Sequence, residues 1–171
     1  MINEIIKKRR SIRKYDPNGV VTNEQIRAML EAAMLAPSAC NLRPWEFIVV
    51  KNRELLNKIT EFHPHTSMLK TASLVIIVLL NPDVQKGRAG EGMWQHDGGA
   101  ATENILLQAA SMGLGTCWCG LHPVEKYMNE TRKLFKLPEN TVPFCVIAVG
   151  VPAEEFGSRG FYEENKVRWE Y

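Results

Sequence analysis

The run LVIIVLL, residues 74–80, constrains the fold more than any other stretch of the chain. A strand with one wet face alternates apolar and polar residues. This run does not alternate, is rich in β-branched residues and is bounded by Ser73 and Asn81. It predicts a strand covered on both faces, at the centre of a sheet packed by helices. It is far too short to span a bilayer, which takes about 20 apolar residues in a helix. The chain must therefore supply helices for two faces of one sheet.

The rest of the sequence supplies them. Residues 2–10 read as a short helix with Ile2, Ile5 and Ile6 on one face, and DPNG at 16–19 reads as a turn. Thr22 and Gln25 have the spacing of a capping box. After them Ile26, Met29, Leu30, Ala33 and Met34 trace a buried helical stripe that Pro37 ends. EFIVVK at 46–51 predicts a strand, and residues 53–62 a helix with Leu55, Leu56 and Ile59 inward. A loop is expected over 82–93 and a helix over 95–112, stopped by Gly113 in the left-handed region. TCWCG is a short strand, 123–136 a helix, and VPFCVIAVG at 142–150 a last buried strand. The tail, 151–171, is polar and charged.

Helices and strands interleave, which predicts an α/β or α+β three-layer sandwich. Two helices precede the first strand, and neither GxGxxG nor GxxxxGK[ST] occurs, so nucleotide binding through those loops has no support. At 171 residues the chain is expected to form one domain, 1–171, with a core of its own. A net charge of +2 demands neither nucleic acid nor an acidic membrane as partner. The segment MINEIIKKRRS lacks the apolar stretch of a secretory signal, so a cytoplasmic location is expected. In that compartment Cys40, Cys117, Cys119 and Cys145 are expected as free thiols, most of them small and buried. Spacings for a zinc site are missing, and no metal is expected.

Four segments carry side chains suited to chemistry. KKRRSIRK, residues 7–14, places Arg9, Arg10, Ser11 and Arg13 together. They read as favourable charge near the end of a helix, or as an anion clamp, because guanidinium forks match phosphate. PSACNLRPWEF at 37–47 links a helix to a strand yet carries Ser38, Asn41 and Arg43, more directed hydrogen-bonding groups than a plain connector needs. GLGTCWCG at 113–120 reads as a helix stop and core strand, or as a strand end that a flat ligand can approach at Gly120. Lys166 and Arg168 in the tail would face the same way in an extended segment. At the start of the long helix, Asp97 is expected to cap, and Gly98 and Gly99 to allow close packing against another backbone. No nucleophile triad can be placed from spacing.

Taken together, these segments resemble the nitroreductase family of FMN-dependent oxidoreductases, in its short form. RRSIRKY resembles the family's RRSxR segment, and PSACNLRPWEFIVV its PSxxNxQPWxF segment. DGGAATENILLQAASMGLGTCWCG resembles its helix followed by GLGTxW, and KVR its C-terminal KxR. The resemblance runs in order over essentially the whole chain. It implies an α+β fold, a three-layer α-β-α sandwich around a mixed, mainly antiparallel sheet. It implies an intimate homodimer with FMN at the interface, and NAD(P)H as co-substrate. The hydride would pass in a ping-pong cycle to a nitroaromatic, quinone or enone.

The same resemblance implies a site. Pro37, Ser38, Ala39, Asn41 and Arg43 would reach the flavin from the partner subunit. Arg9, Arg10, Ser11, Lys166 and Arg168 would meet its phosphate or ribityl end. Arg13 would lie beside the pyrimidine, and Trp118, Cys119 and Gly120 would line the ring near N5, largely through backbone. No protein group need act as acid or base, because the flavin carries the hydride chemistry. Arg43 departs from the family's Gln. It would contact the flavin, favour an anionic substrate or NADPH, or pair with an acid at the interface. The short 82–93 loop implies an open pocket and broad specificity. A flavin-binding sensor or carrier, or other flavin chemistry such as reductive dehalogenation, is the alternative on the same fold.

Overall fold

The computed structural model describes residues 2–155, 157, 160 and 162–171. Among the described residues five helices and four strands follow in the order α1 Glu4–Lys8, α2 Asn23–Met34, β1 Trp45–Val50, α3 Arg53–Phe62, β2 Leu74–Leu80, α4 Trp94–Ser111, β3 Gly115–Gly120, α5 Glu125–Phe135 and β4 Val142–Gly150. Short 3₁₀ turns cover Ala39–Asn41, Ser67–Lys70, Pro82–Gln85 and Glu164–Lys166.

The sheet order is β1-β2-β4-β3, and every neighbouring pair of strands is antiparallel. No residue of β2 is more than 3% exposed. Its even positions, Leu74, Ile76, Val78 and Leu80, pack with Ile26, Met29 and Ala33 of α2 and with Ala101, Ile105 and Ala109 of α4. Its odd positions, Val75, Ile77 and Leu79, pack with Leu56 and Ile59 of α3 and Met128 of α5. Two separate apolar layers on one sheet make the three-layer α+β sandwich expected from the sequence. The mixed character of the sheet reduces to one parallel bridge, Ser11 to Thr116, on the outer edge of β3. Proline enters β4 at Pro143, where the register to β2 slips between Val78 and Leu79, a position that tolerates a residue without an N–H.

Local signals set the boundaries. Thr22 Oγ1 accepts from the Gln25 N–H at 3.2 Å while Gln25 Oε1 accepts from the Thr22 N–H at 3.0 Å, closing the capping box. At the other end of α4, the Leu114 N–H reaches Ala109 O at 2.9 Å and the Gly113 N–H reaches Ala110 O at 3.2 Å. Gly113 has φ +74° there, so the stop is a Schellman motif.

Three expectations are corrected. The first helix ends at Lys8 rather than residue 10, because Arg9 leaves the helical region and Ser11 is drawn to the edge of β3. Arg9 is therefore the C-cap of the helix and Arg10 lies just beyond it, where their charge still complements the dipole. Met34, expected in the buried stripe of α2, is 52% exposed. Of the two glycines, only Gly98 is tightly packed, and against a side chain: a Cβ there would stand 2.5 Å from Leu80 Cδ1, while Gly99 faces open space.

The segment beside β3 positions the site. The Ile12 N–H donates to Thr116 O at 2.8 Å, and Ile12 lies directly over Gly115. A Cβ on Gly115 would fall 2.8–3.0 Å from three atoms of Ile12, including its branched Cβ. Gly115→Ala should cost about 1–3 kcal/mol through overpacking, read as a lower urea midpoint at constant m-value. An unshifted midpoint would show that residues 11–13 can move off the strand without loss.

Candidate functional site

Residues 9–13 run along the exposed edge of β3 and connect two cavities. The first holds about 420 Å³ and is bordered by Lys8, Arg9, Arg10, Gly115, Thr116 and the acids Glu154 and Glu155. The second holds about 630 Å³ and is bordered by Arg13, Cys117, Trp118, Cys119, Gly120 and, from the far side, His63, His65, Met68 and Tyr127. Ser11 sits between them, bridged to Thr116. Arg9 is paired with Glu103 of α4 at 3.4 Å, and Arg10 donates to Gly157 O at 3.3 Å. Glu154 Oε1 accepts the backbone N–H groups of Arg13 at 2.6 Å and Lys14 at 3.0 Å, which holds this edge segment in place.

The wall of the larger cavity is the end of β3. Trp118 points away from the sheet and is 37% exposed, tilted against Phe144 with ring centroids 5.9 Å apart. Cys117 and Cys119 point to the opposite side, as alternate residues of a strand must. Gly120 leaves its backbone open, since an added Cβ would meet only His122 O, at 3.6 Å.

His63 and His65 look like an ordinary polar loop in the sequence. The structure makes His63 a buried prop for this wall. It is 2% exposed, lies 4.4 Å from the Tyr127 ring, and its Nε2 donates to Gly120 O at 2.9 Å. Its Nδ1 accepts the His65 N–H at 3.3 Å. Both bonds are met by the tautomer with its proton on Nε2. The HPH spacing carries no signal for this role, because the partner lies 57 residues away.

The 37–43 connection is held in an uncommon shape. Cys40, Asn41 and Arg43 have φ of 51°, 56° and 49°, in the left-handed region where non-glycine residues are rare. Such conformations persist where the surroundings over-determine them. Here the Arg43 N–H donates to Ser38 Oγ at 3.1 Å, Arg43 Nε donates to Asn41 Oδ1 at 2.8 Å, and the Ala39 N–H donates to Asp97 Oδ1 at 3.0 Å. Asp97 thus does not cap its own helix. It is 5% exposed, and its other oxygen accepts from Gln85 Nε2 at 2.6 Å. The carboxylate ties the strained turn and the Pro82–Gln85 turn to α4.

Not every expected residue converges within one chain. Pro37, Ser38, Ala39, Asn41 and Arg43 border neither cavity. Lys166 and Arg168 do not share one face of an extended segment, because Lys166 closes a 3₁₀ turn. Each is paired locally, Lys166 with Glu163 and Arg168 with Glu170, on an exposed tail.

The thiols differ sharply. Cys145 is fully buried, and burial pushes its thiol up to about 12. Cys117 is lowered, chiefly by its hydrogen bond with Cys119 and further by the charge of Arg13, against burial and the charge of Glu154. Cys119 is raised as the donor of that pair and by burial.

Comparison with known proteins places this arrangement. A model of the nitroreductase family matches residues 6–66 and 63–151. The chain belongs to the nitroreductase family. It is 46% identical over 167 residues to a Methanothermobacter thermautotrophicus protein assigned as an NADH dehydrogenase/NAD(P)H nitroreductase, covering 98% of this chain and 85% of the other. An Archaeoglobus fulgidus protein of the same assignment is 44% identical, over 95% of this chain and 90% of its own. Among solved structures, an FMN-dependent nitroreductase from Clostridium difficile R20291 aligns with TM-score 0.88 and 31% identity, covering 98% of each chain. A nitroreductase in complex with FMN from Desulfovibrio desulfuricans aligns with TM-score 0.81 and 27% identity, over 100% of this chain and 98% of that one. No helix among the described residues is long and apolar enough to cross a membrane.

Asp97→Ala should remove the acceptor for the buried Gln85 amide and the partly buried Ala39 N–H and cost about 1–3 kcal/mol in stability. Faster hydrogen exchange at the Ala39 amide would accompany it. Unchanged exchange there would show that the turn is held without Asp97.

Proposed function

We propose that this nitroreductase-family chain is an FMN-dependent NAD(P)H oxidoreductase that works as a homodimer. One observation carries the reading: a single edge segment, residues 9–13, joins a cation-lined cavity to a larger one walled by strand backbone. The family membership and the FMN named for two structural relatives support it.

The residues present suit the cofactor. FMN has a phosphate near the dianion, a flexible chain and a flat ring. Lys8, Arg9 and Arg10 offer charge-assisted hydrogen bonds to the phosphate, with Glu103, Glu154 and Glu155 close enough to balance them when the site is empty of anion. Arg13, exposed at the ring cavity, would place positive charge where a reduced flavin is negative. The open backbone of Gly120, braced by His63, would orient the ring edge. When bound, FMN supplies hydride transfer from NAD(P)H through N5 to an acceptor such as a nitroaromatic, quinone or enone, in a ping-pong cycle.

The strained turn, which borders neither cavity of its own chain, would serve the partner's site. Its Ser38 and Asn41 are already oriented by internal hydrogen bonds, so they would bind with little further loss of entropy. Lys166 and Arg168 would exchange local ion pairs for the phosphate. Those pairs are exposed and weak, so the exchange would cost little.

An absorption spectrum of the purified protein should show flavin bands that bleach on anaerobic addition of NADH or NADPH. A colourless protein that takes up no FMN would overturn the reading. Arg9→Ala or Arg168→Ala should each weaken FMN binding by about 10–150-fold, the equivalent of ~1.5–3 kcal/mol for a lost charge-assisted contact. Unchanged affinity in both would mean that the phosphate lies elsewhere.

Arg43→Gln should leave FMN binding nearly intact and change the preference between NADH and NADPH or among acceptors. Identical steady-state profiles would remove Arg43 from specificity. It would then act only as the partner of Asn41 and Ser38.

A further inference from the structure

Resting on the FMN reading above, we propose that Glu154 is a positioning residue for the flavin: it fixes the backbone from which Arg13 presents its charge to the ring cavity. Arg13 borders the larger cavity and Glu154 the smaller one, so the contact between them joins the two halves of the site.

The edge segment is stitched down on both sides of Arg13. Before it, Ser11 bridges Thr116 and the Ile12 N–H donates to Thr116 O at 2.8 Å. After it, Lys14 O accepts the Ala153 N–H at 2.9 Å, Tyr15 bridges Pro152, and the Asp16 N–H donates to Val151 O at 2.9 Å. Between these anchors, the N–H groups of Arg13 and Lys14 have no main-chain acceptor among the described residues. Both donate instead to one oxygen, Glu154 Oε1, at 2.6 and 3.0 Å. Two successive amides converging on one point form a small anion seat, and the chain fills it with its own carboxylate. A carboxylate makes such bonds short and strong. Glu154 is itself well placed to act as an anchor, because residues 151–153 continue directly from β4 and pair with the edge segment.

Arg13 needs that anchor. Among the described residues its guanidinium has one hydrogen bond, to Ser11 O at a long 3.4 Å, and no ion pair. The position of its charge therefore depends on its backbone. A reduced flavin is negative at the pyrimidine, so a cation held there favours the reduced form over the oxidised one. A cation on a loose backbone must first be ordered, and the entropy lost offsets part of that preference. Glu154 also has an effect of the opposite sign. Its charge and that of Arg13 oppose each other at Cys117, so the two lie in the same field.

A set of variants separates anchoring from charge. Glu154→Gln removes the charge and keeps an oxygen that can accept both amides. Glu154→Ala has the same charge as Glu154→Gln and no acceptor. The midpoint potential of bound FMN should be lower in Glu154→Ala than in Glu154→Gln by about 30 mV, which is a tenfold loss of preference for the reduced form. In an Arg13→Gln background the gap should close, because no cation is left to position. Glu154→Asp keeps the charge but is one methylene short, and its potential should fall below that of the native protein. In FMN-free protein, hydrogen exchange at the Arg13 and Lys14 amides should quicken in Glu154→Ala and Glu154→Asp and stay nearly native in Glu154→Gln. Equal potentials in Glu154→Ala and Glu154→Gln would overturn the proposal, and so would a gap that survives in Arg13→Gln. If Glu154→Ala does not fold, a native potential in Glu154→Asp, with faster exchange at both amides, would overturn it as well. A native chain that takes up no FMN, with exchange still responding to Glu154, would overturn the flavin reading and leave Glu154 a brace of the edge segment alone.

Discussion

A strand buried on both faces must find every backbone hydrogen bond inside the sheet, since no water reaches it. β2 meets that demand by pairing along its length with β1 on one side and β4 on the other. Most of the molecule follows. The two neighbours occupy the centre and one flank, so β3 is left at the edge beside β4. Helices must cover both faces, and α2 with α4 take one while α3 with α5 take the other. An edge strand needs a partner for its outer groups, and the segment after α1 supplies it through Ser11 and Ile12. The candidate site is thus a consequence of sheet closure: the covering segment is rich in arginine, and cavities open on both sides of it.

A second constraint shapes the 37–43 turn. Three non-glycine residues in the left-handed region cost roughly 1–3 kcal/mol each, a large fraction of a domain's net stability. The structure offsets this with directed bonds from Ser38, Asn41 and the buried carboxylate of Asp97. The same residues that seem excessive for a connector are the ones that hold it in shape. The conformation leaves Cys40, Asn41 and Arg43 exposed at the surface.

Burial alone does not sort the cysteines. Cys117 borders a cavity while Cys145 is sealed in the core, and one thiol is lowered and the other raised. The difference is neighbours. Cys145 has Thr102 as a weak partner in an apolar layer, whereas Cys117 has a second thiol, a cation and an adjoining cavity. A hydrophobic reading is right for Cys145 and incomplete for Cys117.

The apolar run of β2, the capping box of α2 and the Gly113 stop were legible in the sequence because each is a local pattern with one stable solution. The motif order was legible in the same way, while the meeting of Arg13, Trp118, Cys119 and Gly120 at one cavity is seen only in the structure. The end of α1 was not, since the chain leaves the helix at Arg9 to pair Ser11 with a strand over a hundred residues away. Nor were the roles of Asp97, which serves a turn 58 residues distant, and of His63, which braces Gly120. Local sequence determined which elements form and where most of them stop. Only tertiary structure decided which side chains share a cavity, because that depends on contacts made when the sheet closes, and no spacing along the chain encodes them.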